Sequence, residues 1–356
     1  MKPEQKKILV MRYRFIGDTI LTIPFLRNLR RAEPDAYIAW MVAPGSSDII
    51  KNIPYVDELI YWDPVTIHAD SKGIHRTLSS KYAFIQSLRK KQFDKVYVLK
   101  RSLSSAIIAF LTGAPERIGF DTEARGCLLT RRVPYRHDQH EVQNFLDVLR
   151  TDGITVKDAF LELWIEPQET AVIHDLLVGQ GVDNQKKIVA LHPFSAVVER
   201  GWPIENFAHV ASVLEGEGYV PVILGGKKDV PSFQNIKNVF PSAVIDCVGK
   251  LTLRETAALL KRSSFFLGND SGIMHIAAAI GVPLVAIFGP QSPVKFGPWS
   301  AHATALYKHF PCSPCRQKFF RECKPSERFR PFCIEEITVE DVMRELKTRL
   351  NVYAHK

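Results

Sequence analysis

Four short stretches of this 356-residue chain bring acids, cations, hydroxyls and glycines together in patterns that suit an anionic ligand. GNDSGIMHIAAA (268–279) carries Asp270, Ser271, Gly272 and His275 between an apolar run and a helix-like run. If a helix opens there, its free N–H groups and positive end suit a phosphate. Gly272 admits close approach of the anion, Ser271 adds a hydroxyl, and His275, one turn in, would face the same ligand. The same residues also suit an ordinary N-cap followed by a core histidine.

LHPFSAVVERGWP (191–203) ends an apolar run in a loop that holds Ser195 and Arg200, just ahead of a helix start at Trp202-Pro203. A cation beside a helix N-terminus is unfavourable unless an anion lies between them, so Arg200 reads as a pyrophosphate clamp with Ser195 beside it. A solvated loop arginine is the alternative. LGGKKD (224–229) offers two glycines for a nucleoside and Asp229 for its ribose, or simply a tight turn. RFIGDT (14–19) places Asp18 where a carboxylate can accept a proton from a substrate hydroxyl, or where it can cap a helix over 19–31. The chain contains neither G-x-G-x-x-G nor G-x-x-x-x-G-K-[ST], against a dinucleotide oxidoreductase and a P-loop NTPase.

The elements that must position these residues repeat one grammar twice. KKILVMRY, YIAWMVAP and DKVYVLK read as buried strands, with helices such as ILTIPFLRNLRRAEPD and SSAIIAFLTGAP between them. The pattern restarts with KKIVALHP, VPVILGG, SFFLGND and PLVAIFGP, separated by helical stretches. Near-continuous apolar strands alternating with helices predict an α/β protein of two doubly wound, Rossmann-like domains facing a cleft. The expected boundaries are 1–165 for the first domain, 166–186 for a linker and 187–335 for the second. A final helix in 336–356 would cap the second domain or cross back onto the first. In open parallel sheets ligands bind at the carboxyl ends of strands, where all four stretches fall.

Composition narrows the setting. The 47 Lys and Arg against 38 Asp and Glu favour acidic partners. The N-terminal apolar run is too short for a signal peptide, and the longest apolar stretch, 276–288, is broken by Gly281 and Pro283. The expected location is the cytoplasm.

Across nearly its whole length the chain resembles the bacterial ADP-heptose:lipopolysaccharide heptosyltransferases, glycosyltransferase family 9. The resemblance is carried by KILVMRYRFIGDTILTIPFLRNLR, GAPERIGF, LHPFSAVVERGWP, VILGG and above all FFLGNDSGIMHIAAAIGVPLVAIFGP. It implies the two-domain GT-B fold and metal-independent, inverting transfer of heptose from ADP-heptose to a Kdo or heptose of the lipopolysaccharide inner core. It further implies Asp18 as general base and Asp270, Ser271, Gly272 and His275 as donor-binding residues. Arg200 stands where a phosphate-contacting lysine is usual, and Leu251 where an apolar residue packs on adenine. Lys227 and Lys228 precede Asp229, a departure that leaves its ribose contact open. The implied acceptor is an anionic glycolipid at the inner-membrane surface, taken by the 1–165 domain while 187–335 takes the nucleotide sugar, with peripheral attachment to the cytoplasmic face of the inner membrane. Arg101, Arg117, Arg125, Arg131 and Arg132 are candidates to meet it, and the polar insert 62–81 would shape its site. No cofactor is required for catalysis, and no nucleic-acid partner is expected.

Cys312, Cys315, Cys323 and Cys333 crowd one segment, 312–333. Their spacing allows a structural zinc, free thiols or disulfides. Two other functions stay open: a related enzyme with another nucleotide sugar or acceptor, or an epimerase, and a non-enzymatic basic binding module.

Overall fold

The computed structural model describes residues 5–64, 73–315, 323 and 331–354. The chain divides into two compact units, Met1–Trp164 and Ile165–Lys356. Each is built on a six-stranded, all-parallel sheet.

In the first unit the strands are β1 (Lys7–Met11), β2 (Tyr37–Val42), β3 (Glu58–Tyr61), β4 (Lys95–Val98), β5 (Glu116–Phe120) and β6 (Arg131–Val133), in the order β3-β2-β1-β4-β5-β6. In the second they are β7 (Ile188–His192), β8 (Val220–Gly225), β9 (Ile245–Val248), β10 (Phe265–Asn269), β11 (Leu284–Phe288) and β12 (Ala303–Tyr307), in the order β12-β11-β10-β7-β8-β9. The two orders are the same when the second is read from its other edge. In each, the winding reverses between the first and fourth strands, β1/β4 and β7/β10, and ligands of such sheets bind outside the carboxyl ends at that reversal.

Burial explains the strand sequences. Every residue of β10 and β11 is buried, because helices cover both faces of a parallel sheet. Each fully buried Phe or Leu of β10 contributes about 1.5–3 kcal/mol. Among the helices, α1 (Ile16–Ala32) follows β1, α2 (Leu78–Lys90) and α3 (Leu103–Leu111) flank β4, and α4 (Glu141–Thr151) packs on α1. Pro24 lies inside α1, where the Asn28 side chain donates to the Pro24 carbonyl at 2.7 Å.

In the second unit, α5 (Pro167–Gly179) buries Ile173 and Leu177 and packs on α8 (Leu253–Arg262). The segment read as a linker is thus largely a helix of that unit. After α6 (Ile204–Gly216) and α7 (Val230–Ile236) comes α9 (Gly272–Ile280), which ends at Gly281 with φ +83°, a left-handed turn that glycine adopts without strain. The short α10 (Pro293–Phe296) and α11 (Phe332–Glu335) precede the last helix, α12 (Val339–Ala354). Thr338 and Asp341 cap α12 reciprocally, as their spacing predicts. Val342 and Leu346 bury α12 in the core of the second unit, against β11 and α6.

Candidate functional site

In the second unit the β7/β10 reversal gathers most of the residues singled out by sequence. Ser271 is the N-cap of α9, its Oγ accepting from Met274 N at 3.4 Å. Asp270 stands one residue earlier, and its Oδ2 lies 3.4 Å from Arg200 Nη1. Burial pushes the Asp270 carboxyl up to about 6, against the pull of the Arg200 charge in the other direction. Arg200 Nε is buried and has no hydrogen-bond partner among the described residues. An arginine with one nitrogen on a carboxylate and another unspent, beside the N-terminus of a nine-residue helix, is equipped to take a dianion. Ser195 lies in the same loop, its Oγ accepting from Val197 N at 3.4 Å.

Two residues there escaped the sequence reading as site residues. His192, the last residue of β7, sits 3.2 Å through Nδ1 from Ser271 Oγ. Burial, then the nearby Lys228 charge, holds its imidazole down to about 3, so it is neutral. Asn269 is fully buried. Its Oδ1 accepts from Trp202 N at 3.0 Å and its Nδ2 donates to the Pro193 carbonyl at 2.9 Å. Asn269 thereby ties the loop after β7 to the end of β10, and Trp202 is held in turn by its indole N–H on the Ile337 carbonyl at 2.7 Å. The signal for both was in plain sight, a polar residue closing an otherwise apolar strand, but their partners are 67 to 79 residues away.

Other predicted contacts fare differently. His275 is buried in α9, 6% exposed. Asp229 Oδ2 accepts from Gly226 N at 2.8 Å, so this carboxylate closes its own turn. A Cβ at Gly225 would stand 2.8 Å from the Phe194 ring, which explains the first glycine of that pair by packing. Leu251 is half-buried in the turn after β9.

In the first unit Asp18 belongs to the first turn of α1; the N-cap is Phe15, so the capping alternative for Asp18 fails. Its Oδ1 lies 2.5 Å from Arg12 Nη2. Arg12, at the end of β1, is itself flanked by Glu141 at 3.8 Å and by the Phe145 ring, 5.1 Å from its guanidinium carbon. Arg14 adopts φ +128°, a strained value for a non-glycine residue, in the loop that leads to Asp18. Lys100 follows β4 with its ammonium 5.0 Å from the centre of the Tyr13 ring; burial first, then the charges of Arg12 and Arg14, lower it to about 8. Arg12, Arg14 and Lys100 were not read from sequence as a set, because β1 and β4 become neighbours only in the folded sheet.

The basic residues proposed for the acceptor separate. Arg125 is fully buried, donating to the carbonyls of Phe120, Lys100 and Ser102. Arg117, the second residue of β5, lies at its amino end and donates to the carbonyls of Leu128 and Ala114. Arg125 is therefore spent on local backbone, contrary to its reading as a presented cation, whereas Arg117 stays half-exposed with two of its nitrogens on local carbonyls. Arg101 stays at the carboxyl end of β4, its guanidinium carbon 3.9 Å from the centre of the Tyr135 ring. Arg131 pairs with Asp152 at 2.5 Å, and Arg132 is exposed, 3.9 Å from Asp121. Residues 65–72 of the polar insert lie outside the described residues.

Of the clustered cysteines, Cys312 is exposed, Cys315 and Cys323 are half-buried and Cys333 is buried. Among the described residues no group of three or more His, Cys, Asp or Glu is arranged to hold a metal, so the zinc reading finds no support. Nor does any described helix have the length and apolarity to cross a membrane.

The sequence profile of glycosyltransferase family 9 (heptosyltransferase) matches residues 81–324. The lipopolysaccharide heptosyltransferase 2 of Escherichia coli strain K12 is 29% identical over 311 residues, covering 84% of this chain and 87% of that protein. The lipooligosaccharide heptosyltransferase 2 of Haemophilus influenzae is 28% identical over 313 residues, 84% and 88% of the two chains. A crystal structure of a family 9 glycosyltransferase from Veillonella parvula superposes with a TM-score of 0.85 at 27% identity, over 98% of each chain.

Proposed function

This chain belongs to glycosyltransferase family 9, and from that premise we propose that it transfers heptose from ADP-heptose to a Kdo or heptose of the lipopolysaccharide inner core, with inversion at the anomeric carbon. The names of its relatives, heptosyltransferases of lipopolysaccharide and lipooligosaccharide, support the substrate class. The observation that carries the reading is the Arg200–Asp270 pair at the mouth of α9, with an unspent buried Arg200 N–H.

In the proposed mechanism the second unit takes the donor. Arg200, the α9 N-terminus and the Ser271 hydroxyl receive the diphosphate and stabilise the negative charge that grows on it as the glycosidic bond breaks. His192, neutral and bonded to Ser271, orients that hydroxyl. Ser195 and His275 line the donor side, and Leu251 packs on the adenine. The first unit takes the acceptor. Asp18 withdraws the proton of the acceptor hydroxyl as that oxygen attacks the anomeric carbon from the face opposite the diphosphate. Arg101, with Lys100 behind it, meets the acceptor's carboxylates or phosphates. The positive charge for the leaving group comes from Arg200 and the helix end, so no divalent metal is required.

Calorimetric titration with ADP-heptose, ADP, UDP and GDP, without divalent metal, tests the donor side. ADP-heptose and ADP should bind, UDP and GDP should not, and Arg200→Ala should lose most of the affinity. Preference for UDP would move the protein to another donor, and no nucleotide binding at all would overturn the assignment.

A further inference from the structure

Helix α3 presents an unusual face to solvent. Leu103, Ile107, Phe110 and Leu111, at positions i, i+4, i+7 and i+8, form one apolar stripe, each 38–51% exposed. The adjacent α2 exposes Leu78 and Tyr82 as well, at 84% and 66%. Contiguous exposed apolar side chains of this kind mark an interaction surface.

The surrounding charge says what covers it. α3 contains no charged residue, and α2 contains Lys81, Arg89 and Lys90 with no acid. The Arg117 guanidinium lies 5.5 Å from the centre of the Phe110 ring, and Arg89 Nε stands 3.9 Å from where a Cβ on Gly113 would be, at the end of α3. Glu123 is occupied in accepting from Leu103 N at 3.2 Å. The first unit as a whole holds 25 Lys and Arg against 19 Asp and Glu. An apolar stripe rimmed by cations complements anionic headgroups above acyl chains. A symmetric contact with a second copy would set these cations against themselves.

We infer that the α2–α3 face of the first unit docks on an anionic phospholipid bilayer. The stripe enters the headgroup boundary and the flanking lysines and arginines meet lipid phosphates. α3 also connects to the proposed catalytic loop: Ser105, in its first turn, is hydrogen-bonded through Oγ to Tyr13 OH at 3.2 Å, and Tyr13 lies between Arg12 and Arg14. Docking by this face would hold the β1–α1 junction, with Asp18 in the first turn of α1, near a lipid-anchored acceptor, a consequence that rests on the proposed function, whereas the docking itself does not.

The test is co-sedimentation of the full chain with phosphatidylcholine vesicles, with and without phosphatidylglycerol, over a range of salt. The wild type should bind the phosphatidylglycerol vesicles, more weakly as salt rises. Ile107→Asp with Phe110→Asp should lower vesicle affinity by about tenfold or more. Lys81→Glu with Arg89→Glu, charge reversals on a solvated helix, should lower it comparably if the apolar pair fails to fold. Activity on a delipidated, soluble acceptor should be unchanged in the apolar variant. Absence of wild-type binding, or variants that bind like wild type, would overturn the inference. So would a wild-type dimer in analytical ultracentrifugation that Ile107→Asp with Phe110→Asp converts to monomer. Vesicle binding is read without catalysis, so failure of the heptosyltransferase reading would leave this result standing.

Discussion

Asp270 and Arg200, 70 residues apart in sequence, meet at 3.4 Å where β10 gives way to α9. The pair leaves a nearly buried carboxyl that is protonated up to about 6 rather than 3.8, because desolvation outweighs the arginine's charge. Between those values the folded chain holds more protons here than the unfolded chain. The contribution of Asp270 is therefore fully present below about pH 4 and lost as pH rises through about 6, on the order of 3 kcal/mol. Denaturant melts from about pH 4 to 7 should show Asp270→Asn gaining stability on wild type as pH rises.

His192 works in the opposite sense. Its folded value of about 3 lies below the ordinary 6.5, so its contribution is present above about 6.5 and falls away as pH drops toward 3. Histidine NMR should find its ring signals constant between about pH 5 and 8. Titration of His192 within that range would remove it as a neutral partner for Ser271.

Donor binding should take up protons. A diphosphate received by Arg200 adds negative charge beside Asp270 and raises its proton affinity further. Calorimetry at about pH 6.5 in buffers of differing ionisation enthalpy should read this uptake in wild type and lose it in Asp270→Asn.

Asp18→Asn should lower kcat about 10²–10⁴-fold with little change in KM for the donor. Arg12→Ala, which removes the partner 2.5 Å from Asp18, should lower kcat less, and the two substitutions together should cost little more than Asp18→Asn alone. Additive losses would mean that Arg12 acts independently of the carboxylate. Chelator should leave wild-type kcat unchanged if charge on the leaving diphosphate is met by the chain.

Asn269→Ala should destabilise the second unit by about 2–4 kcal/mol, since it strands a buried N–H of Trp202 and a buried carbonyl of Pro193. Chemical denaturation of wild type and variant followed by far-UV circular dichroism measures it.

The strands and helices were readable one at a time because their causes are local. Apolar runs such as FFLG and LVAIF, the Thr252–Glu255 and Thr338–Asp341 capping boxes, and the Gly281 stop act within a few residues. For the same reason the placement of Asp270, Ser271 and Gly272 at a strand-to-helix junction was legible, since a junction is a local event. Tertiary structure decided the partners. Strand order brings β7 beside β10, so His192 reaches Ser271 and Asn269 reaches Pro193; it brings β1 beside β4, so Lys100 joins Arg12 and Arg14. It also decided which cations are presented. Arg125 and Arg101 look alike in sequence, yet one is buried on backbone carbonyls and the other lies at the end of β4, because burial depends on what the whole sheet brings to each side chain.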